Sequence, residues 1–133
     1  KTAPQILEGK ENVHFLGFRD DINNIYSNSH IALLASFSES FPLALLEAAN
    51  EKLPLISTDV GGVRQLLSSE EYGWVVPVGE VDQYAEAMNE AYAAFQSGTL
   101  SEMGERLYEQ ASQNFSVGAL AAEIEKVYKE LIR

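Results

Sequence analysis

From residue 12 onward the chain alternates short, continuously apolar runs with longer segments whose apolar positions recur every third or fourth residue. The first kind reads as strand and the second as helix, because side chains share a face every two residues along a strand and about every 3.6 along a helix. Residues 12–18 ("NVHFLGF") are expected to form a strand ended by a glycine turn. Residues 20–29 put Ile22, Ile25 and Tyr26 on one helical face, with Asp20 or Asp21 to cap it. Residues 30–36 ("HIALLAS") and 53–58 ("LPLIST") are apolar runs of the kind found in buried parallel strands. Between them, residues 41–51 ("FPLALLEAANE") read as a helix with Pro42 in its first turn, where a missing N–H costs little. Gly61 and Gly62 make a tight turn before a short helix, and residues 73–78 ("GWVVPV") form a fourth strand. Three helices close the chain, at 80–98 with Gly98 as its cap, at 99–114 and at 116–133. The last carries Leu120, Ile124, Val127 and Leu131 as its apolar stripe.

Strand, helix, strand, helix is the order of an α/β fold with right-handed crossovers. The predicted architecture is one Rossmann-like three-layer domain over residues 1–133, with a mostly parallel sheet of about four strands and flanking helices. Such sheets take ligands outside the carboxyl ends of their strands. That rule selects four loops, at residues 17–19, 35–41, 58–62 and 77–80.

Composition narrows the chemistry. The chain has no cysteine and two histidines, His14 and His30, with no HExxH spacing, so no metal site is expected. The net charge of −11 argues against nucleic acid or an anionic membrane surface as a partner. No apolar run approaches ~18 residues, and residues 1–12 lack the apolar segment of a signal peptide. The expected location is cytoplasmic. The first residue is not methionine, as expected of a piece of a longer protein.

Within this frame one stretch stands out: Glu39 and Glu47 bracket seven residues, only one of them, Ser40, polar. Glu39 would precede the helix and Glu47 would lie about 7.5 Å further along its axis. Two readings follow from spacing alone. Glu39 complements the helix dipole while Glu47 points to water. Alternatively, the helix N-terminus offers an anion site and each carboxylate accepts hydrogen bonds from a pair of hydroxyls, which suits a nucleotide sugar.

Residues 36–62, "SFSESFPLALLEAANEKLPLISTDVGG", resemble the family 4 retaining glycosyltransferases of the GT-B fold, with their E-x7-E motif followed by a proline, a strand and a Gly-Gly loop. The flanks "NVHFLGFRDDINNIYSNSHIALLAS" and "YGWVVPVGEVDQYAEAM" are similar to the family's segments on either side, so the resemblance runs over about residues 11–115. It implies the donor-binding carboxyl-terminal lobe of an enzyme that transfers a hexosyl group from a UDP- or GDP-linked sugar, with no cofactor, in surface polysaccharide or glycoconjugate synthesis. By the same resemblance Glu39 is the catalytic-site residue, contacting the donor sugar near its anomeric centre, and Glu47 binds the ribose. Ser40, Phe41, Pro42 and Leu43 would lie beside the sugar and diphosphate, and Gly17, Phe18 and Arg19 would line the base pocket. It also implies an upstream strand-helix-strand unit with the arginine and lysine that hold the diphosphate, and an amino-terminal lobe. Both are outside these residues, so the isolated chain is expected to be inactive, and the whole enzyme is expected at the inner face of the membrane through its other lobe.

Departures are few. Ala35 stands where the family often has proline, and Pro42 replaces a commoner glycine. Lys52 takes a helix-closing position that favours glycine, because the left-handed backbone there costs other residues about 1 kcal/mol. Arg64 is a further phosphate candidate, while His14, His30, Tyr72 and Trp74 read as structural and Asp59 as a neighbour of the cleft. The alternative is a non-catalytic α/β interaction module. A receiver domain lacks support, since no aspartate ends "HIALLAS", and a dinucleotide site lacks its G-x-G-x-x-G.

Overall fold

The computed structural model describes residues 3–132. In chain order its elements are α1 (Ala3–Ile6), α2 (Ile22–Ser27), β1 (Ala32–Leu34), α3 (Leu43–Asn50), β2 (Leu55–Thr58), α4 (Val63–Leu66), β3 (Gly73–Val76), α5 (Val81–Ser97), α6 (Leu100–Asn114) and α7 (Val117–Leu131). The three strands form one parallel sheet in the order β1-β2-β3, with Leu33 opposite Ile56 and Ile56 opposite Trp74. All four residues of β2 are buried, as the central position of a sheet covered on both faces requires.

Adjacent residues of β2 feed opposite layers, because strand side chains alternate. Leu55 packs into the larger core with Leu45, Ala48 and Ala49 of α3, Val63 and Leu66 of α4, and Leu107 and Ala111 of α6. Ile56 points the other way, with Val76, towards Ala87 and Ala91 of α5. Tyr84 of α5 also donates to the Ile56 carbonyl at 3.2 Å. The layers are thus helix, sheet, helix.

Both predicted helix closures form. Gly98 is left-handed at φ 79°, and the Gly98 and Thr99 amides bond the carbonyls of Phe95 and Ala94. Lys52 is left-handed at φ 61°, and the Lys52 and Leu53 amides bond Ala49 and Ala48 in the same pattern. A lysine therefore holds a glycine's backbone. Its ammonium lies over the Tyr108 ring, 5.4 Å from Nζ to the ring centre, and Nζ meets Glu105 at 3.0 Å.

Four expectations change. Residues 12–18 form no strand, so the sheet has three strands and not about four. A strand exists through its ladder, and this segment, which includes the exposed His14, pairs with no neighbour and leaves Phe15, Leu16 and Phe18 exposed. Gly17 does adopt the expected left-handed turn, at φ 68°. Asp21 occupies the N-cap position of α2 without a capping bond, because the Arg19 guanidinium grips both its oxygens at 2.7 and 2.6 Å. Pro42 sits at the N-cap of α3, one residue before the helix proper. Finally, α7 forms and is capped by the Ser116 hydroxyl, which accepts from the Ala119 amide at 3.2 Å, yet none of its residues is buried. Its predicted stripe faces outward, with Leu120, Ile124, Val127 and Leu131 all exposed.

Candidate functional site

Three of the four loops selected by the strand-end rule converge. Ala35, Ser36 and Phe37 after β1, Thr58 at the end of β2, and Pro77 to Glu80 after β3 line a cleft of about 280 Å³ with Tyr84 and Met88 of α5. A second cleft, about 270 Å³, lies between β1 and α5, lined by Ile31, Leu33, Met88, Tyr92 and Phe95. The walls of both clefts are mostly apolar.

The loop that carries Glu39 is fastened to the sheet at two points. Thr58 Oγ1 donates to the Ser36 carbonyl at 2.6 Å, and the Gly62 amide donates to the Ser40 carbonyl at 2.9 Å. The glycine pair is needed for this approach. Gly61 has φ +48°, and a Cβ there would fall 2.7 Å from the Ser40 carbonyl carbon and nearer still to the carbonyl oxygens of Glu39 and Ser40. A Cβ on Gly62 would run into the Phe41 ring, which itself rests against Phe115 at 5.3 Å between centres. Pro42 is buried and Leu43 exposed where α3 begins, so the positive end of the helix dipole lies beside this loop, with the Leu45 amide of the first turn already bonded to the Pro42 carbonyl at 3.0 Å.

The two glutamates have separate surroundings. Glu39 is exposed, and its Oε1 accepts from the Ser36 hydroxyl at 2.8 Å. Glu47 is exposed on α3, one turn from Leu43, so about 6 Å along the axis at ~1.5 Å per residue. That is shorter than expected because the helix starts after Pro42. Burial pushes the Tyr26 phenol of α2 above its ordinary value, and the Glu47 carboxylate adds to the shift, so Glu47 lies on the α2 side of α3. Tyr26 also donates to the Ala44 carbonyl at 3.3 Å, tying the two helices.

The remaining predicted residues are less engaged. Phe18 is 99% exposed beside Gly17, so a role for this loop at a base rests on the resemblance. Both basic candidates are occupied: Arg19 by Asp21, whose carboxyl its hydrogen bonds hold below the usual range, and Arg64 by Asp59 at 2.8 Å. His30 stacks edge-on against Phe95, Trp74 donates to Glu90 at 2.7 Å, and Tyr72 packs on the larger core. Among the described residues no three metal-ligating side chains gather. Residues not singled out from the sequence matter here too: Ser36 and Thr58 around Glu39, and Tyr26 beside Glu47. The sequence signal of Ser36 and Thr58 is a hydroxyl at the end of each of two apolar runs, and Tyr26 shows only as part of the apolar face of α2.

Residues 2–114 match the family described as "Glycosyl transferases group 1". The chain is 30% identical over 128 residues to N-acetyl-alpha-D-glucosaminyl L-malate synthase of Bacillus anthracis, covering 96% of this chain and 33% of that protein. It is 34% identical over 79 residues to UDP-Gal:alpha-D-GlcNAc-diphosphoundecaprenol alpha-1,3-galactosyltransferase of Escherichia coli, covering 59% and 20%. The chain thus spans a third or less of the length of these curated relatives. Its fold is similar to that of a glycosyltransferase from Rickettsia africae ESF-5, with a TM-score of 0.84, 21% identity, and 98% of this chain against 35% of that one covered. It is also similar to the carboxyl-terminal domain of the group 1 family protein LpcC from Francisella tularensis, with a TM-score of 0.67, 22% identity, and 79% and 53% covered. With the family matched over residues 2–114, this chain belongs to the group 1 glycosyltransferases.

Proposed function

We propose that this chain binds the nucleoside-diphosphate sugar in a retaining glycosyltransferase, with Glu39 at the donor sugar and Glu47 at the ribose. The observation that carries the reading is the double fastening of the Glu39 loop, which holds a carboxylate at the strand ends beside the first turn of α3. Glu47 lies one turn into α3, so the fastened loop and the helix that follows it space two hydroxyl-binding groups on either side of an anion-binding helix end. Ser40, Phe41, Pro42 and Leu43 border the sugar and diphosphate, and Gly17, Phe18 and Arg19 the base. A UDP-linked donor is favoured, because the name of the E. coli relative specifies UDP-Gal.

In the chemistry this implies, the diphosphate departs and an acceptor hydroxyl attacks the same face of the sugar. The protein's part is to orient the donor and stabilise the departing charge. This chain supplies orientation. With Arg19 and Arg64 both paired to aspartates, the cationic stabilisation comes from other parts of the enzyme. The 133 residues alone should therefore turn over no nucleotide sugar. The natural setting is hexosyl transfer in polysaccharide or glycoconjugate synthesis on the cytoplasmic side. No helix among the described residues is long and apolar enough to cross a membrane.

The test is calorimetric titration of the full-length enzyme with UDP and with GDP, repeated on Glu47→Ala. Losing one charge-assisted hydrogen bond between the carboxylate and a ribose hydroxyl weakens binding by about 10- to 150-fold, at ~1.5–3 kcal/mol per bond. Binding of neither nucleotide, or equal binding by the variant, overturns the reading.

A further inference from the structure

A glutamate on an exposed loop has three rotatable side-chain bonds and no reason to hold one direction. Glu39 is nonetheless reached by a continuous chain of hydrogen bonds that starts in the sheet. Thr58 is the last residue of β2 and buried, at 7% exposure, so its hydroxyl has a fixed origin. That hydroxyl donates to the Ser36 carbonyl at 2.6 Å. The Ser36 hydroxyl then donates to Glu39 Oε1 at 2.8 Å. On the far side of Glu39 the Gly62 amide fixes the Ser40 carbonyl at 2.9 Å, so the backbone is held before and after the carboxylate.

We infer that Ser36 is a positioning residue for Glu39, and Thr58 for Ser36, in the handling of the donor sugar. The inference rests on the reading of Glu39 given above. A carboxylate carries two oxygens with about four acceptor sites. The serine takes one site on Oε1, which restrains the group and leaves Oε2 to accept from an incoming sugar hydroxyl. Ser36 lines the cleft, and in this scheme its hydroxyl serves the donor by holding Glu39 and not by direct contact. It acts through Glu39 alone, so its effect falls on the sugar half of the donor and leaves the nucleotide half, held by Glu47, untouched.

That division sets the experiment. The full-length enzyme and its Ser36→Ala, Ser36→Thr and Glu39→Gln variants are assayed for release of UDP or GDP from UDP-galactose, UDP-N-acetylglucosamine, UDP-glucose and GDP-mannose. Binding of free UDP and GDP and the thermal midpoint are measured alongside. Ser36→Ala removes only one hydroxyl from a half-buried loop position, so folding should be unchanged. Its kcat should fall by about tenfold or more, the scale of one hydrogen bond to a charged group, while affinity for the free nucleotide stays within about twofold. Ser36→Thr keeps the hydroxyl and should restore most of the lost turnover. Thr58→Val, which keeps the branched shape and loses the hydroxyl, should move kcat in the same direction as Ser36→Ala. Wild-type turnover by Ser36→Ala while Glu39→Gln is impaired overturns the positioning role alone, as does an equal loss in Ser36→Ala and Ser36→Thr. Wild-type turnover by Glu39→Gln, or no turnover of any of the four donors by the wild type, overturns the donor reading and the role of Ser36 with it.

Discussion

Gly104 offers a clear test of how α6 is seated, because two effects on one substitution oppose each other. It belongs to the buried stripe Leu100, Gly104, Leu107 and Ala111. Alanine in a helix interior is favoured over glycine by about 1 kcal/mol, so Gly104→Ala would stabilise an isolated helix. In the folded chain the new Cβ would fall 2.8 Å from the Lys52 carbonyl carbon, nearer still to its oxygen, and 3.2 Å from Pro54 Cδ. These atoms belong to the left-handed closure of α3 and the entry to β2, which cannot rotate away like a side chain. Overpacking of this kind costs about 1–3 kcal/mol, and an obstacle made of backbone puts it at the upper end. Lifting α6 would also draw Leu107, fully buried, out of its site, and ~40 Å² of new apolar exposure adds about 1 kcal/mol. The net is a loss of about 2–3 kcal/mol. The control is Gly118 in α7, where the nearest atom to an added Cβ is Ser116 Oγ at 3.9 Å. Gly118→Ala should raise the helicity of α7 and slow its amide exchange. Urea denaturation of both variants reads the contrast. A Gly104→Ala midpoint at or above that of the wild type would show that α6 does not approach Lys52 this closely.

Two further predictions concern local features. Ser116→Ala removes the cap of α7 and should cost about 1 kcal/mol of helix stability, visible as faster exchange of the Ala119 amide, whereas unchanged protection there would mean the cap bond is not made. Glu47→Gln should bring the Tyr26 phenol partway back towards its ordinary value, the effect of burial remaining, as followed by its ultraviolet titration; no movement would place Glu47 away from α2. For Tyr26 the folded-state value lies above the unfolded one, so its contribution to stability is whole below about pH 10 and is lost as the pH rises through the folded value.

Helix content was readable wherever periodicity and punctuation agreed. The glycine after α5 is plain in the letters, and Lys52 was legible as a strained closure through the family pattern, which favours glycine at that helix-closing position. Residues 12–18 were misread because alternation reports which faces a segment can present, whereas a strand needs a neighbour to bond. The stripe of α7 is the same lesson in a helix: the pattern shows capacity for burial and says nothing of a covering partner. At the site, Glu39 and Glu47 were visible through the spacing and family pattern of their segment. The contact from Ser36 to Glu39 was not, since a bond across three residues of loop depends on backbone angles that no residue there dictates. Asp21 shows the limit of local rules, because a cap residue abandons its helix when a guanidinium two residues away makes the stronger pair.

Strand β1 is bonded to β2 on one side, and among the described residues no strand joins it on the other. Its margin is flanked by Leu33 and Phe37, 49% and 82% exposed. A vacant ladder rung beside greasy side chains is a template for any extended peptide, including another copy of the same strand. Purified by itself, the 133-residue chain should therefore be sensitive to protein concentration, and a Lys substituted at Leu33 or Phe37 is the simplest way to keep molecules apart.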